Sequence, residues 1–314
     1  MCAFLSYSIY QQVFTDVLVG QPHLVACKCD HIEHILLPES NPHQADIANW
    51  AIYQKSDTLY LIFRGTANRS DQVVDVAVTP LNMTFDGVVY SLHMGFWGAV
   101  TNAYSLILKH LLHFASKNIN KLVISGHSLG GALAQLFALK YHYDVVRRDE
   151  KPEIISVVTY AAPQSCIEDL SSSFPLKNKC INYVCVDDPV PCLASFVDHQ
   201  HSGRFLRNMA MNTSFVAALF TKQFNSLRVA MAPVAYLKNY HSLVNSVLIS
   251  PRAVTLCHQT PKEHHAHIQQ LTAQQVDHLN TDSHSMLFYL GEMKTLHLLT
   301  AQTASWVKNM YVEL

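Results

Sequence analysis

The sequence predicts an α/β fold, a mostly parallel sheet covered by helices on both faces, and three observations predict it. Short apolar runs of strand length alternate with longer runs whose apolar residues recur every three to four positions. Hydrophobic residues make up 49% of the 314 positions and charged residues 14%, enough to bury strands on both sides. From Lys121 onward, strand, sharp turn and helix follow one another repeatedly, as crossovers between parallel strands require.

The elements follow in order along the chain. Residues 1–22 read as an amphipathic helix; they lack a basic leader and a small-residue cleavage site after a continuous apolar core, so they do not read as a signal peptide. Residues 47–54 and 58–64 are strand-like, joined across Lys55, Ser56 and Asp57. A helix is expected at about 96–116, where Val100, Tyr104, Ile107, Leu108, Leu111 and Ala115 keep the 3.6-residue period. The apolar strand 121–126 runs into a second helix with Leu129, Leu133, Leu136 and Phe137 on one face. Further strands are expected at 154–161 and 180–186.

Residues 195–281 break this rhythm. Val216, Phe220, Phe224, Leu227 and Met231 line one face of a helix that Pro233 kinks or ends, and a second apolar stretch follows at 240–249. The segment reads as a helical cap or lid inserted into one domain spanning 1–314, with further core helix as the alternative.

Several function classes are disfavoured by composition. A formal net charge of −1 without basic runs gives no electrostatic footprint for nucleic acid. The eight cysteines form no CxxC pair and read as buried thiols rather than a zinc site or disulfide framework. The densest histidine cluster, His264, His265 and His267, has no carboxylate or cysteine at ligand spacing, so neither metal nor cofactor is expected. No run of 18 apolar residues exists. The expectation is a soluble protein, cytoplasmic or exported without a conventional leader.

The sharpest chemical signal is Gly126-His127-Ser128-Leu129-Gly130, a G-x-S-x-G between an apolar strand and a helix. In that setting the serine sits on a strained bend that lifts its hydroxyl above the sheet edge, the nucleophile elbow of the α/β-hydrolase fold. The following helix start places N–H donors and a positive dipole end beside a developing oxyanion. A serine hydroxyl needs an imidazole to take its proton, and the imidazole needs a carboxylate to orient it. In this fold they follow in the order Ser, Asp, His. Asp187 and Asp188 end the 180–186 strand, while His241 and His284 are the histidines available further on. The residues alone leave both choices open.

Four separated segments resemble the class 3 lipases, the family of the fungal triacylglycerol lipases and many bacterial relatives. They are Phe63-Arg64-Gly65-Thr66, His93-Met94-Gly95-Phe96, Gly126-His127-Ser128-Leu129-Gly130-Gly131 and Asp188-Pro189-Val190-Pro191. The resemblance implies that Asp188 is the acid. A fifth segment, His284-Ser285-Met286-Leu287-Phe288-Tyr289, is similar to the H-x-M-x-x-Y ending of bacterial-type members and selects His284 as the base. Thr66 and the backbone N–H of Leu129 are then the implied oxyanion donors. Asp71 and Asp75 are similar to a family acidic pair, but Gln72 stands where a tryptophan is usual. His93 and His127 are expected to brace turns, and Arg64 to pair with a buried acid. The implied activity is hydrolysis of a lipid ester, of lipase or phospholipase A type, with transient contact to a lipid interface. Two other readings remain: a catalytically silent scaffold on the same fold, and an esterase or acyltransferase for a soluble substrate.

Overall fold

The computed structural model describes residues 1–10, 31–35, 48–65, 80–115, 119–146, 152–167, 174–186, 188, 190–192, 241–250, 255–260, 262–263, 266, 281–286 and 288–293. The elements are α1 (Cys2–Tyr10), β1 (His31–Ile35), β2 (Trp50–Lys55), β3 (Thr58–Phe63), β4 (Pro80–Phe85), β5 (Val88–His93), α2 (Met94–Ala115), β6 (Lys121–His127), α3 (Leu129–Asp144), β7 (Glu153–Tyr160), β8 (Cys180–Cys185), β9 (Asn245–Ser250) and β10 (Thr255–Gln259). A 3₁₀ turn at Thr281–His284 leads into a last helical stretch that includes Tyr289.

An eight-stranded sheet runs in the order β1-β2-β3-β6-β7-β8-β9-β10. β3, β6, β7, β8 and β9 run parallel to one another, and the outer pairs β1–β2, β2–β3 and β9–β10 are antiparallel. Strand periodicity decides which side each residue serves. Leu59, Leu61 and Phe63 of β3 face a core with α2 and α3, whereas Ile62 joins α1 and Tyr289 on the opposite face. The sheet is therefore covered on both sides, α1 and the C-terminal stretch forming the thinner layer.

The expected helix at 96–116 is α2, which buries Val100, Tyr104, Ile107 and Leu111 as its period requires, with Leu108 and Ala115 half-buried. The helix after Ser128 is less one-sided than its sequence pattern suggests. Every α3 residue from Leu129 to Leu139 is buried, because the helix lies between the sheet and α2. A separate antiparallel hairpin, β4–β5, turns at Asp86-Gly87, both residues at positive φ, and stacks Phe85 on Tyr143.

One correction concerns 195–281. Within that stretch β9 and β10 are strands of the main sheet, so the apolar run at 240–249 supplies sheet rather than cap helix. Val247 and Ile249 are buried in the parallel ladder beside β8, where a continuous apolar run suits a strand covered on both faces. The amphipathic 216–231 stretch, the remainder of 11–30 and the His264, His265 and His267 cluster lie outside the described residues. No described helix is long and apolar enough to cross a membrane. Cys166, Cys180 and Cys185 are buried, as the composition suggested.

Candidate active site

Ser128 sits where β6 ends and α3 begins, with φ 57° and ψ −132°, a conformation costly for any residue with a side chain. The bend is held by hydrogen bonds: the Ser128 N–H donates to the Tyr160 carbonyl at 2.9 Å, and the Gly131 N–H donates to the Ser128 carbonyl at 2.8 Å. The flanking glycines are bare because backbone occupies the place of a side chain. A Cβ on Gly126 would collide with the Gly130 carbonyl, and one on Gly130 with the Phe63 carbonyl and, at 2.7 Å, the Arg64 carbonyl carbon. The elbow thus lets β3, β6 and α3 approach closely.

The other two candidates converge on it. His284 Nε2 lies 2.9 Å from Ser128 Oγ, and His284 Nδ1 lies 3.1 and 3.0 Å from the two carboxyl oxygens of Asp188. With a carboxylate as acceptor, Nδ1 carries the proton and Nε2 is left to accept from the serine hydroxyl. Asp188 is fully buried and also accepts from the Val190 N–H at 2.9 Å. His284 keeps 17% of its side chain exposed and Ser128 is 6% exposed, so the group is shielded but not sealed.

His241 takes no such place. It forms an antiparallel bridge with Cys166, its carbonyl accepting from the Ser165 and Cys166 N–H groups at 3.1 and 3.2 Å. Leu129 is the first residue of α3, so its N–H is one of those a helix cannot satisfy internally. Thr66, Asp71, Asp75 and Asp187 lie outside the described residues. Arg64 is buried at the end of β3.

Tyr289 entered the sequence reading only as the last letter of a segment, yet its hydroxyl is central. It donates to Asp188 Oδ2 at 2.8 Å and accepts from the Cys185 N–H at 2.8 Å. Burial, with the Asp188 carboxylate next in importance, pushes its phenol well above the usual range, so it stays a donor. His93 and His127 do brace turns. His93 Nδ1 accepts from the Phe96 N–H at 3.4 Å, and His127 Nε2 lies 2.7 Å from the His284 carbonyl. Burial drives His93 down to about 3; burial and then the nearby His284 hold His127 well below its ordinary range. Both rings are neutral at physiological pH.

A parallel sheet carrying a strained serine at a strand-to-helix bend, with a histidine and a carboxylate from later loops against it, defines an α/β-hydrolase fold. Residues 60–197 match the family described as Lipase (class 3). A lipase of Rhizomucor miehei is 30% identical over 116 residues, which are 36% of this chain and 30% of that protein. The chain thus spans under a third of the curated relative it matches. Among solved structures, a triacylglycerol lipase described as having a serine-protease triad at its catalytic centre superposes with a TM-score of 0.52 at 17% identity, covering 90% of each chain. A triacylglycerol lipase from Penicillium expansum gives 0.51 at 15% identity, covering 83% of this chain and 82% of its own. At these identities the structural likeness establishes the fold.

Proposed function

We propose that this protein is a serine hydrolase that cleaves a carboxylic ester of a lipid through an acyl-enzyme. The observation that carries the reading is the continuous hydrogen-bond line from Ser128 Oγ through the His284 ring to Asp188, with distances of 2.9 and 3.0 Å. In the first half-reaction Ser128 Oγ attacks the acyl carbon as its proton passes to His284 Nε2. The oxyanion is held by the Leu129 N–H and by Thr66. The ester C–O bond then breaks, and the alcohol leaves with the proton from Nε2. In the second half-reaction a water gives its proton to Nε2, attacks the acyl carbon and releases the fatty acid and the serine.

The class 3 lipase match supports a lipid ester over other acyl compounds. A substrate of that kind gathers at an oil or membrane surface, so transient contact with such an interface belongs to the proposal. Fluorophosphonate labelling of Ser128, with release of p-nitrophenol from medium-chain esters, tests the reading. Both are expected in the wild type and lost in Ser128→Ala. Retained hydrolysis in that variant would refute the assignment, and an unlabelled wild type would mark a silent scaffold. A rate that fails to rise when a short-chain ester passes its solubility limit would favour a soluble-ester esterase.

A further inference from the structure

The hydroxyl of Tyr10, at the end of α1, reaches the elbow from the thin side of the sheet. It lies 3.0 Å from His127 Nδ1 and 3.4 Å from the His127 carbonyl, with the two rings edge to face at 5.6 Å. Simple periodicity puts it there. Ser6 and Tyr10 are one helical turn apart, about 6 Å along α1, while Ser125 and His127 share one face of β6 about 6.6 Å apart. The lower pair is also joined. Ser125 Oγ gives its proton to the Val158 carbonyl at 2.5 Å, so at 3.2 Å it accepts from the Ser6 hydroxyl. Helix and strand are thus pinned in register at both points.

The direction of the upper bond follows from what His127 does on its other side. A carbonyl can only accept, so the 2.7 Å contact with the His284 carbonyl requires the proton on Nε2. The ring is buried and neutral, which leaves Nδ1 without a proton and able only to accept, here from Tyr10. Gly65 makes the approach feasible. A Cβ there would fall on the Tyr10 hydroxyl and lie 2.5 Å from the His127 carbonyl. One phenol therefore touches the strand end that leads to Thr66 and, through His127, the backbone of His284.

We propose that Tyr10 is a positioning residue supplied by the N-terminal helix: it fixes His127 as the Nε2–H tautomer, and that tautomer holds the His284 backbone so that its ring meets Ser128 and Asp188. The inference rests on the hydrolase reading for its kinetic consequence but not for its structural one.

Tyr10→Phe removes one oxygen and keeps the ring. In ¹⁵N-histidine spectra of the full chain, assigned with His127→Gln, wild-type His127 should show a protonated Nε2 and a hydrogen-bonded, unprotonated Nδ1. In Tyr10→Phe the Nδ1 resonance should move to its unbonded position. The kcat for a p-nitrophenyl ester should fall by about tenfold with KM nearly unchanged, the size of loss a small misplacement of a reacting group brings. In a His127→Gln background, adding Tyr10→Phe should change kcat by less than about twofold, since residues acting through one contact are not additive. A His127 Nδ1 resonance that stays at its wild-type position in Tyr10→Phe overturns the proposal. So does wild-type kcat, or a kcat loss that persists undiminished in the His127→Gln background. If the wild type neither labels nor hydrolyses, the hydrolase reading fails, and the spectra alone decide the role of Tyr10.

Discussion

Replacing Tyr289 with phenylalanine removes a single oxygen from the most enclosed part of the site. The ring contacts with Tyr160 at 6.2 Å and His127 at 5.8 Å are kept. Two hydrogen bonds of 2.8 Å are lost, one to Asp188 and one from the Cys185 N–H. A bond to a carboxylate is worth about 1.5–3 kcal/mol, and depriving a buried N–H of its acceptor costs about 1–3 kcal/mol. Because the two share one oxygen they do not add fully, and the expected destabilisation is about 3 kcal/mol. Urea unfolding followed by tryptophan fluorescence measures it, and repeating the change in Asp188→Ala isolates the carboxylate's share. The kcat should fall less steeply than in Asp188→Ala, since the Val190 N–H and His284 still hold the acid. A free energy of unfolding within about 0.5 kcal/mol of wild type, the scatter of an ordinary surface change, would refute the reasoning. Full additivity with Asp188→Ala would do the same.

Three other changes test the elbow and its buried imidazoles. Ser128→Gly should be more stable to urea than Ser128→Ala, by about 1 kcal/mol, because glycine relieves the positive φ while both variants lose the hydroxyl. Gly130→Ala drives a methyl into the Phe63–Arg64 backbone; it should cost about 3 kcal/mol in urea and depress esterase activity sharply. For His93, burial lowers the folded pKa to about 3 against an unfolded 6.5, so the unfolded chain binds the extra proton. Stability is full above pH 6.5 and is lost as the pH falls, by about 2 kcal/mol at pH 5 from this group. His127 acts in the same direction. Urea midpoints at pH 7.5 and 5 should differ less in His93→Asn than in wild type; an equal difference would show that His93 is not held neutral.

What could be read from the sequence was whatever local chain geometry dictates. The elbow is such a feature, since its glycines are required by backbone a few residues away or on the next strand. The strands β3, β6, β7 and β8 announce themselves because each is a bounded apolar run. The run at 240–249 is equally apolar, but nothing local distinguishes a buried strand from a buried helix, and its partner β8 lies some 60 residues earlier. The β4–β5 hairpin was legible in principle. Asp86-Gly87 is a dipeptide that tolerates two successive positive φ values, yet the alternation around it is half-exposed and easily passed over. Tyr10 and Tyr289 were not legible as site residues. Each acts through one hydroxyl on an atom about 100 positions away, Tyr10 on His127 and Tyr289 on Asp188, and no periodicity records such a contact.

The sheet order explains why the carboxylate comes from where it does. Parallel strands bring all their C-terminal ends to one edge, so Ser128 after β6 and Asp188 after β8 are two strands apart, with β7 between them. Two strand spacings amount to about 9.6 Å. Hydrogen bonds of 2.9 and 3.0 Å with an imidazole between them nearly fill that gap. A carboxylate on the β7 turn would crowd the ring, and one after β9 would fall short of it. The intervening strand β7 ends at Tyr160, level with the end of β6, and the chain turns away at Ala161, at φ 51°, and Ala162. Both alanines are buried, and the Ala162 methyl lies close against Gly131 at the start of α3. His284 can then come from far along the chain, because its place is defined by the gap it spans and not by the strand it follows.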